Sequence, residues 1–182
     1  MKWMIASDLH GSALWTGRML DRFEKEQPDR LLLLGDLLYH GPRNDLPEGY
    51  RPKEVIEQLS SLRGRILAVR GNCEAEVDQM VLPFPVLADY ALVQEAGRLL
   101  FVTHGHLYNL SQLPPLCPGD ILLHGHTHVP AWQNFGEDSY YLNPGSVSLP
   151  KEGTRHCYMT LEAGCFLWKD LDGTVYHELD LG

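Results

Sequence analysis

Short apolar runs that end in a polar residue recur along the first part of the chain. Residues 3–7 (WMIAS) lead directly to Asp8, and residues 30–36 (RLLLLGD) end at Asp36. Runs of this length and composition predict buried strands. Between them, the apolar positions of residues 12–26 recur at helical spacing, which predicts an amphipathic helix. The pattern so far is strand, helix, strand.

The rest of the chain continues this alternation and then changes to strands. A second helix is predicted at 53–62, and a strand follows it at 65–70. The tripeptides EAG and LDG are typical of hairpin turns between the last three predicted strands. We predict an α/β protein whose later strands are 86–95, 98–103, 120–124, 139–142, 156–161, 165–170 and 174–180.

Composition and charge narrow the class of protein. At 182 residues and 44% hydrophobic content, we expect a single domain over residues 1–182 with ample core. The formal net charge of −9 without any Lys/Arg cluster argues against binding of duplex nucleic acid. No apolar run approaches the roughly 20 residues that span a bilayer, and the N-terminus reads as a strand rather than a signal peptide. Four cysteines without CxxC spacing favour reduced thiols, so we expect a cytoplasmic protein that does not bind a membrane.

Polar residues with catalytic or metal-binding chemistry follow several of the apolar runs. In LLHGHTHVP (122–130) three histidines alternate, and alternate residues of a strand share one face. Singly, each such residue has a structural explanation as a turn former, helix cap or strand-end polar residue. Since α/β sheets place their sites at the carboxyl ends of strands, their joint occurrence predicts one shared site. The residues concerned are Asp8, Asp36, Asn72, His104, His126 and His128.

Five short motifs follow one another in an order that resembles the calcineurin-like metallophosphoesterases. They are DLH (8–10), GD (35–36), GNCE (71–74), THGH (103–106) and GHTH (125–128). The resemblance covers residues 1 to about 150. The loop GPRNDLPEGY (41–50), the segment NPGSVSLP (143–150) and GNCE in place of G-N-H resemble more particularly the small bacterial YfcE-type phosphodiesterases.

This resemblance implies a fold, a reaction and a set of ligands. The fold is a four-layer α-β-β-α sandwich of two mixed sheets. The reaction is hydrolysis of phosphodiesters by a hydroxide that bridges two metal ions, with a small phosphodiester as substrate. Asp36 is shared by both ions in the implied set, while His124 lies one step back and either packs or forms a hydrogen bond behind the ligands. One ion is held by Asp8, His10, Asp36 and His128, and the second by Asp36, Asn72, His104 and His126.

The chemistry of these side chains agrees with a dinuclear site. Carboxylate, imidazole and amide ligands without thiolate suit Mn²⁺, Fe or Zn²⁺ better than a structural zinc site. A shared carboxylate holds two ions about 3.5–4 Å apart, as in two-metal phosphoesterases. By resemblance manganese is the first choice for both divalent ions, with zinc, iron and nickel as alternatives.

Three further residues are candidates for catalysis or substrate binding. Cys73 stands where the wider family has a histidine that protonates the departing oxygen. His106 can supply that proton or bind phosphate, and Arg43 offers a bidentate phosphate contact. Each has a structural alternative: packing for Cys73, a structural histidine for His106 and a solvated surface position for Arg43.

Several other functions are considered beside the phosphodiesterase. A phosphomonoesterase or nucleotide phosphatase could use the same fold and ions. A non-catalytic scaffold of this fold is expected to have lost ligands, whereas all seven positions are intact here. A nuclease needs a basic groove, and an amidohydrolase needs an early H-x-H on a barrel of about 250 residues. The substrate and the oligomeric state stay open, a closed homo-oligomer being common on general grounds.

Overall fold

The computed structural model describes residues 1–182, which form three helices and eleven strands. Helix α1 begins after Ser12, whose hydroxyl accepts a hydrogen bond from the backbone N–H of Trp15, and α2 begins with proline at its first position. The helices are α1 (Ala13–Glu26), α2 (Pro52–Ser60) and α3 (Glu76–Val81). The strands are β1 (Trp3–Ala6), β2 (Arg30–Leu33), β3 (Ile66–Ala68), β4 (Tyr90–Glu95), β5 (Arg98–Thr103), β6 (Ile121–Leu123), β7 (Ala131–Asn134), β8 (Tyr140–Asn143), β9 (Cys157–Glu162), β10 (Cys165–Asp170) and β11 (Val175–Asp180).

The strands form two mixed sheets. The first has the order β11-β10-β9-β1-β2-β3, and the second has the order β4-β5-β6-β8-β7. Strands β1, β2 and β3 are parallel to one another, as are β5, β6 and β8. The carboxyl ends of each parallel set therefore lie along one edge of its sheet. Both predicted C-terminal hairpins are present, because β9, β10 and β11 pair in antiparallel order.

Alternating residues of the first sheet supply two separate cores. Met4 and Leu31 face α1 and α2, whereas Ile5 and Leu32 face the second sheet. The layer between the sheets also takes residues such as Val102 from the second sheet, and all of these side chains are buried. Because side chains of a strand point alternately to its two faces, a continuous apolar run in β1 and β2 fills both layers.

The outer face of the second sheet is covered by a loop. Phe101 and Tyr141 pack there against Tyr108 and Leu116 of the segment 104–119, which contains no helix. Three prolines in that segment remove backbone donors and oppose a helix. The expected fold of two mixed sheets with flanking helices is thus present, with an irregular segment as its fourth layer.

Two elements were not anticipated from the pattern, and both are exposed. Strand β7 is an edge strand with little buried surface, and α3 buries none of its side chains. The strand predicted at 86–95 begins only at Tyr90. None of the three helices is long and apolar enough to cross a membrane.

Candidate metal centre

The polar residues singled out above meet at the carboxyl ends of five strands. β1 leads to Asp8 and His10, and β2 leads to Asp36. β3 leads to Asn72, β5 to His104, and β6 to both His126 and His128. All seven side chains surround one site. Both sheets contribute to it, so the interface between the sheets ends at this cluster.

Close backbone approach at this edge requires glycine at two positions. A Cβ atom at Gly71 would lie 2.5 Å from the backbone nitrogen of Asp36. A Cβ atom at Gly125 would lie 2.7 Å from the Cβ atom of Ser7 and 2.8 Å from Asp8 Oδ2. These distances are far below van der Waals contact, so the G-N and G-H motifs bring neighbouring strand ends together.

Asp8, His10 and His128 form the first group of converging ligand atoms. His10 Nε2 lies 3.6 Å from Asp8 Oδ1 and 3.3 Å from His128 Nε2. His128 Nε2 lies 3.4 Å from the same carboxylate oxygen. All three residues are buried.

Asp36 joins this group to a second one. Asp36 Oδ2 lies 3.7 Å from His10 Nε2 and 3.5 Å from His104 Nε2. His104 Nε2 in turn lies 3.2 Å from Asn72 Oδ1 and 3.1 Å from His126 Nδ1. One carboxylate oxygen therefore faces an imidazole of each group.

Backbone carbonyls fix the tautomers of three histidines. The Nδ1–H of His10 donates to Tyr39 O at 2.8 Å, that of His104 to Leu34 O at 2.7 Å, and that of His128 to the carbonyl of residue 149 at 2.6 Å. Because Nδ1 is the donor in each, the neutral form of each ring, which is the form that binds a metal ion, presents its Nε2 lone pair to the cluster. Outer hydrogen bonds of this kind are typical of metal-binding histidines.

The electrostatics of the cluster are those of buried carboxylates among imidazoles. Burial raises the pKa of Asp8, but the nearby imidazoles have the larger combined effect and hold this pKa well below its usual range. The largest of these lowering contributions comes from His10. Burial lowers the pKa of His104, yet its contact with Asp36 raises the pKa to about 9. Desolvation lowers the pKa of His126 to about 4. The carboxylates therefore stay ionised and attract positive charge into the site.

The donor set fits divalent metal ions. Asp8 Oδ1 is buried without any hydrogen-bond partner, and the Nε2 atoms of His10 and His128 face each other at 3.3 Å. Ligands at about 2.1 Å from an ion lie roughly 3.0–3.5 Å apart, and the contacts above span 3.1–3.7 Å. Unpaired acceptors in a buried cluster are costly unless a cation satisfies them.

Two supports of the site were missed by the sequence analysis. Glu74 is buried, and its carboxylate accepts hydrogen bonds from the backbone N–H groups of Asp36 at 2.8 Å, Leu37 at 2.7 Å and Gly71 at 2.5 Å. The hydroxyls of Ser146 and Ser148 both donate to the backbone carbonyl of Asp8, at 3.0 and 2.9 Å. The available signal was the position of Glu74 inside GNCE and of both serines inside NPGSVSLP, within motifs already singled out.

The three candidate catalytic and substrate-binding residues lie at different places around the cluster. Cys73 Sγ is within 4.8 Å of ligand atoms of His10 and Asp36. Burial raises the pKa of this thiol, and the Asp36 charge raises that pKa further. The His106 ring centroid lies 5.5 Å from that of His104, and its Nδ1 is buried without a partner. Arg43 is exposed and lines the cavity described next.

A polar cavity of about 400 Å³ opens above the cluster. Arg43, Asn44 and Lys151 line its outer part, and Lys151 was not anticipated. His124, the remaining histidine of LLHGHTHVP, is buried outside the cavity, with its ring stacked on Tyr141 at 4.3 Å. The cavity thus combines buried anionic and imidazole groups at its base with cationic side chains at its mouth.

The fold and this cluster define the class of protein. The family model of the calcineurin-like phosphoesterase superfamily domain matches residues 1–164, and the chain belongs to that family. The assignment made from the five motifs is confirmed.

Particular relatives narrow the class further. The chain is 48% identical over 162 residues to phosphodiesterase YfcE of Escherichia coli strain K12, covering 89% of this chain and 88% of that protein. The solved structure of the E. coli phosphoesterase YfcE matches with a TM-score of 0.96 at 44% identity, covering 100% of both chains. The Zn²⁺ complex of Vps29 from Entamoeba histolytica matches with a TM-score of 0.63 at 18% identity, which shows the shared fold. The chain is therefore a metallophosphoesterase homologous to phosphodiesterase YfcE.

Proposed function

We propose that this protein is a metal-dependent phosphoric diester hydrolase that cleaves small phosphodiesters at a dinuclear centre. The observation that carries the proposal is the convergence of seven side chains with ligand atoms from five strand ends, around a buried carboxylate oxygen, Asp8 Oδ1, that has no hydrogen-bond partner. The homology to phosphodiesterase YfcE supports the diester class.

Two divalent ions are proposed to occupy the cluster. Asp36 is the proposed shared ligand, because Asp36 Oδ2 faces both His10 and His104. When bound, such ions lower the pKa of water to supply a nucleophile at neutral pH and neutralise charge on the phosphoryl oxygens. We propose Mn²⁺ as the native ion, with zinc, iron and nickel as alternatives. One ion is assigned to Asp8, His10, Asp36 and His128, and the other to Asp36, Asn72, His104 and His126.

The chain's own residues position the substrate above this centre. Arg43 and Lys151 place positive charge at the mouth of the cavity, where they can hold the anionic phosphoryl group. The guanidinium of Arg43 is the proposed bidentate contact. The cavity volume of about 400 Å³ suits a small ester, and the net charge of −9 supports a small substrate rather than duplex nucleic acid.

Departure of the alcohol requires a proton, and two residues are proposed to supply it. Cys73 lies beside His10 and Asp36 on one side of the centre. His106 lies beside His104 on another side, with a ring nitrogen that no protein group occupies. The thiol is a weak donor, so proton transfer is expected to be the least efficient part of this site.

Two broader proposals concern the whole chain. Both sheets contribute to one inner core and to one set of proposed ligands, which supports treating residues 1–182 as a single domain. Four free cysteines support a cytoplasmic location.

The experiment that tests the function is metal removal and return. The purified protein is treated with a chelator, Mn²⁺, Zn²⁺, Ni²⁺ or Mg²⁺ is added back singly, and phosphomonoesters and diesters are assayed side by side. We expect activity to vanish on chelation and to return most strongly with Mn²⁺ on diesters. Activity indifferent to chelation would contradict the proposal, and a preference for monoesters would indicate a phosphatase instead.

A further inference from the structure

A second cavity adjoins the polar one and differs from it in chemistry. This apolar groove has a volume of about 390 Å³ and lies between the start of α2 and helix α3. Most of its lining is hydrophobic, as in typical binding sites for organic groups. Its walls include Tyr39, Ile56, Ala75, Val77 and Val81.

The groove adjoins the metal centre at Cys73. This residue lines both cavities, and its Sγ lies within 4.8 Å of ligand atoms of His10 and Asp36. Tyr39 also lines the groove, and its backbone carbonyl accepts the Nδ1–H of His10 at 2.8 Å. The groove therefore begins immediately beside the proposed ligands.

The surface around α3 is unusually apolar for an exposed helix. Val77 is 58% exposed and Val81 is 45% exposed, while Tyr39 on the facing loop is 42% exposed. Asp78, which also lines the groove, is engaged in accepting a hydrogen bond from the backbone N–H of Ala75 at 2.8 Å. A contiguous exposed apolar surface of this kind indicates a ligand or partner.

The division between the two cavities matches the two parts of a phosphodiester. The polar cavity suits the anionic phosphoryl group, since Arg43 and Lys151 stand at its mouth. The groove has one lysine and one aspartate among its lining residues and so offers no net charge to a second anion. An ester with an apolar alcohol places its charged and its hydrophobic part in adjoining sites of matching character.

We propose that the apolar groove bounded by Tyr39, Ile56, Val77 and Val81 binds an aromatic or branched aliphatic ester group of a phosphodiester whose phosphoryl group lies at the metal centre. This proposal rests on the proposed function. It assigns the physiological substrate to diesters that carry at least one apolar alcohol.

The test compares two phosphonate esters that carry one negative charge and differ only in their apolar group. Methyl methylphosphonate and methyl benzylphosphonate are titrated calorimetrically into protein reconstituted with Mn²⁺. Burial of a ring in the groove predicts at least about tenfold tighter binding of the benzyl compound. The double variant Val77→Ser/Val81→Ser and the groove-filling Ala75→Trp are each expected to remove most of this preference.

Two controls separate the groove from general damage. The methyl compound should bind all variants within about twofold of the unsubstituted protein, because the metal centre is untouched. Met80 lies on the same helix at 83% exposure and does not line the groove, so Met80→Ser should leave both dissociation constants unchanged.

The outcomes distinguish this proposal from the one on which it rests. Equal binding of both compounds to the unsubstituted protein, or a benzyl preference that survives in both groove variants, would overturn the groove assignment alone. Failure of both compounds to bind would overturn the proposed function and the groove assignment together. The alternative occupant of the groove is a second copy of this chain, and analytical ultracentrifugation of the same variants tests for it. If Val77→Ser/Val81→Ser abolished an oligomer and left the benzyl preference unchanged, the groove would be an interface between copies and the proposal would be overturned.

Discussion

Left-handed backbone conformation is a local feature of most of the proposed ligands. Five of the seven, none of them glycine, have positive φ angles between 46° and 67°. Such conformations are uncommon for residues with a Cβ atom and cost of order 1 kcal/mol each. They turn the chain sharply at the strand ends and aim successive side chains into one cluster. The residues are Asp8, His10, Asp36, His126 and His128.

The three histidines of the GHTH region are expected to respond differently to alanine substitution. His126→Ala and His128→Ala should each lose one metal ion, and a different one, because their ring nitrogens face different groups. His124→Ala should retain both ions but lose stability, since its buried ring stacks on Tyr141. Elemental analysis and thermal unfolding of the three variants test this. Loss of both ions by all three would show that the proposed register is wrong.

Because Cys73 stands where the wider family has a histidine, we predict that the rate of hydrolysis depends strongly on the pKa of the leaving group. A thiol has an unperturbed pKa of about 8.5 and donates weakly, whereas efficient general-acid catalysis is worth about 10²–10⁴-fold. We expect activated diesters to react much faster than alkyl diesters, and Cys73→His to flatten this dependence. Cys73→Ser should change the slope little. The check is a series of diesters with graded leaving-group pKa, under conditions where chemistry limits the rate.

The leaving-group series also tests His106. If His106 supplies the proton efficiently, the unsubstituted protein will be indifferent to leaving-group pKa and His106→Ala will make the dependence steep. That pattern would refute the role given to Cys73.

At the scale of elements, Glu74 connects the segments that follow β2 and β3. Its carboxylate accepts hydrogen bonds from backbone N–H groups of both segments. The substitution Glu74→Gln replaces one acceptor oxygen by an amide group that donates. We expect a loss of about 1–3 kcal/mol in unfolding free energy. We also expect weaker metal binding, because the backbone of Asp36 is no longer fixed. Denaturation and metal titration measure the two effects.

The control for Glu74 lies two residues further on. Glu76 is exposed at the start of α3, so Glu76→Gln should leave metal affinity unchanged. Equal behaviour of the two variants would show that the carboxylate of Glu74 does not position the ligands.

Helix α1 is tied to the first sheet by a carboxylate at its last turn. Glu26 accepts hydrogen bonds from Lys169 at 2.9 Å, Tyr158 at 2.9 Å and Lys2 at 3.2 Å. Burial raises the pKa of Glu26, but these hydrogen bonds, that from Lys169 first, lower it to about 2. A carboxyl whose pKa is lowered on folding contributes its full stabilisation at pH values above its unfolded-state pKa of about 4.5. This contribution is lost as pH falls from about 4.5 toward 2.

We therefore predict that replacement of Glu26 destabilises the folded state by an amount that depends on pH. Glu26→Gln should lower the unfolding free energy by roughly 1–3 kcal/mol at pH 7. The difference from the unsubstituted protein should shrink as pH falls from about 4.5 toward 2. Urea denaturation at a series of pH values measures it, with Glu24→Gln as the exposed control on the same helix. A constant difference across that range would exclude the ionised carboxylate as the cause.

For the whole molecule, the proposed ions connect two sheets. Asp36 follows a strand of the first sheet and His104 follows a strand of the second, so both sheets hold the same centre. A ligand that binds only the folded state stabilises it by about 2.7 kcal/mol when its free concentration is one hundred times its dissociation constant. We therefore expect chelation to lower the melting temperature by about 5–10 °C. Differential scanning calorimetry with and without Mn²⁺ tests this.

Asp36→Asn provides the matched control for metal removal. With the shared carboxylate gone, the variant should melt at the same temperature with or without chelator, and should have lost most activity. The substitution Asp45→Asn, at an exposed position of the loop beside the cavity, should respond to chelator like the unsubstituted protein. A melting temperature independent of Mn²⁺ in the unsubstituted protein would contradict structural coupling of the sheets through the ions.

The sequence by itself determined the strands that lead into the site and the polar residues that follow them. The apolar runs 3–7 and 30–34 and the apolar stripe of 12–26 are local patterns. A strand buried on both faces needs consecutive apolar residues, and a helix buried on one side needs them at helical spacing, so both can be recognised within one segment. The order of five motifs was sufficient to recognise the family and the two mixed sheets.

Only the tertiary structure decided the contacts outside the predicted ligand set. The exposed strand β7 forms because β8 offers it an edge, and the loop 104–119 lies over the second sheet because Phe101 and Tyr141 pack against it. The role of Glu74 and the groove beside Cys73 likewise arise from segments far apart in the chain. Contacts of this kind depend on where whole strands are placed, and no periodicity within one segment carries that information.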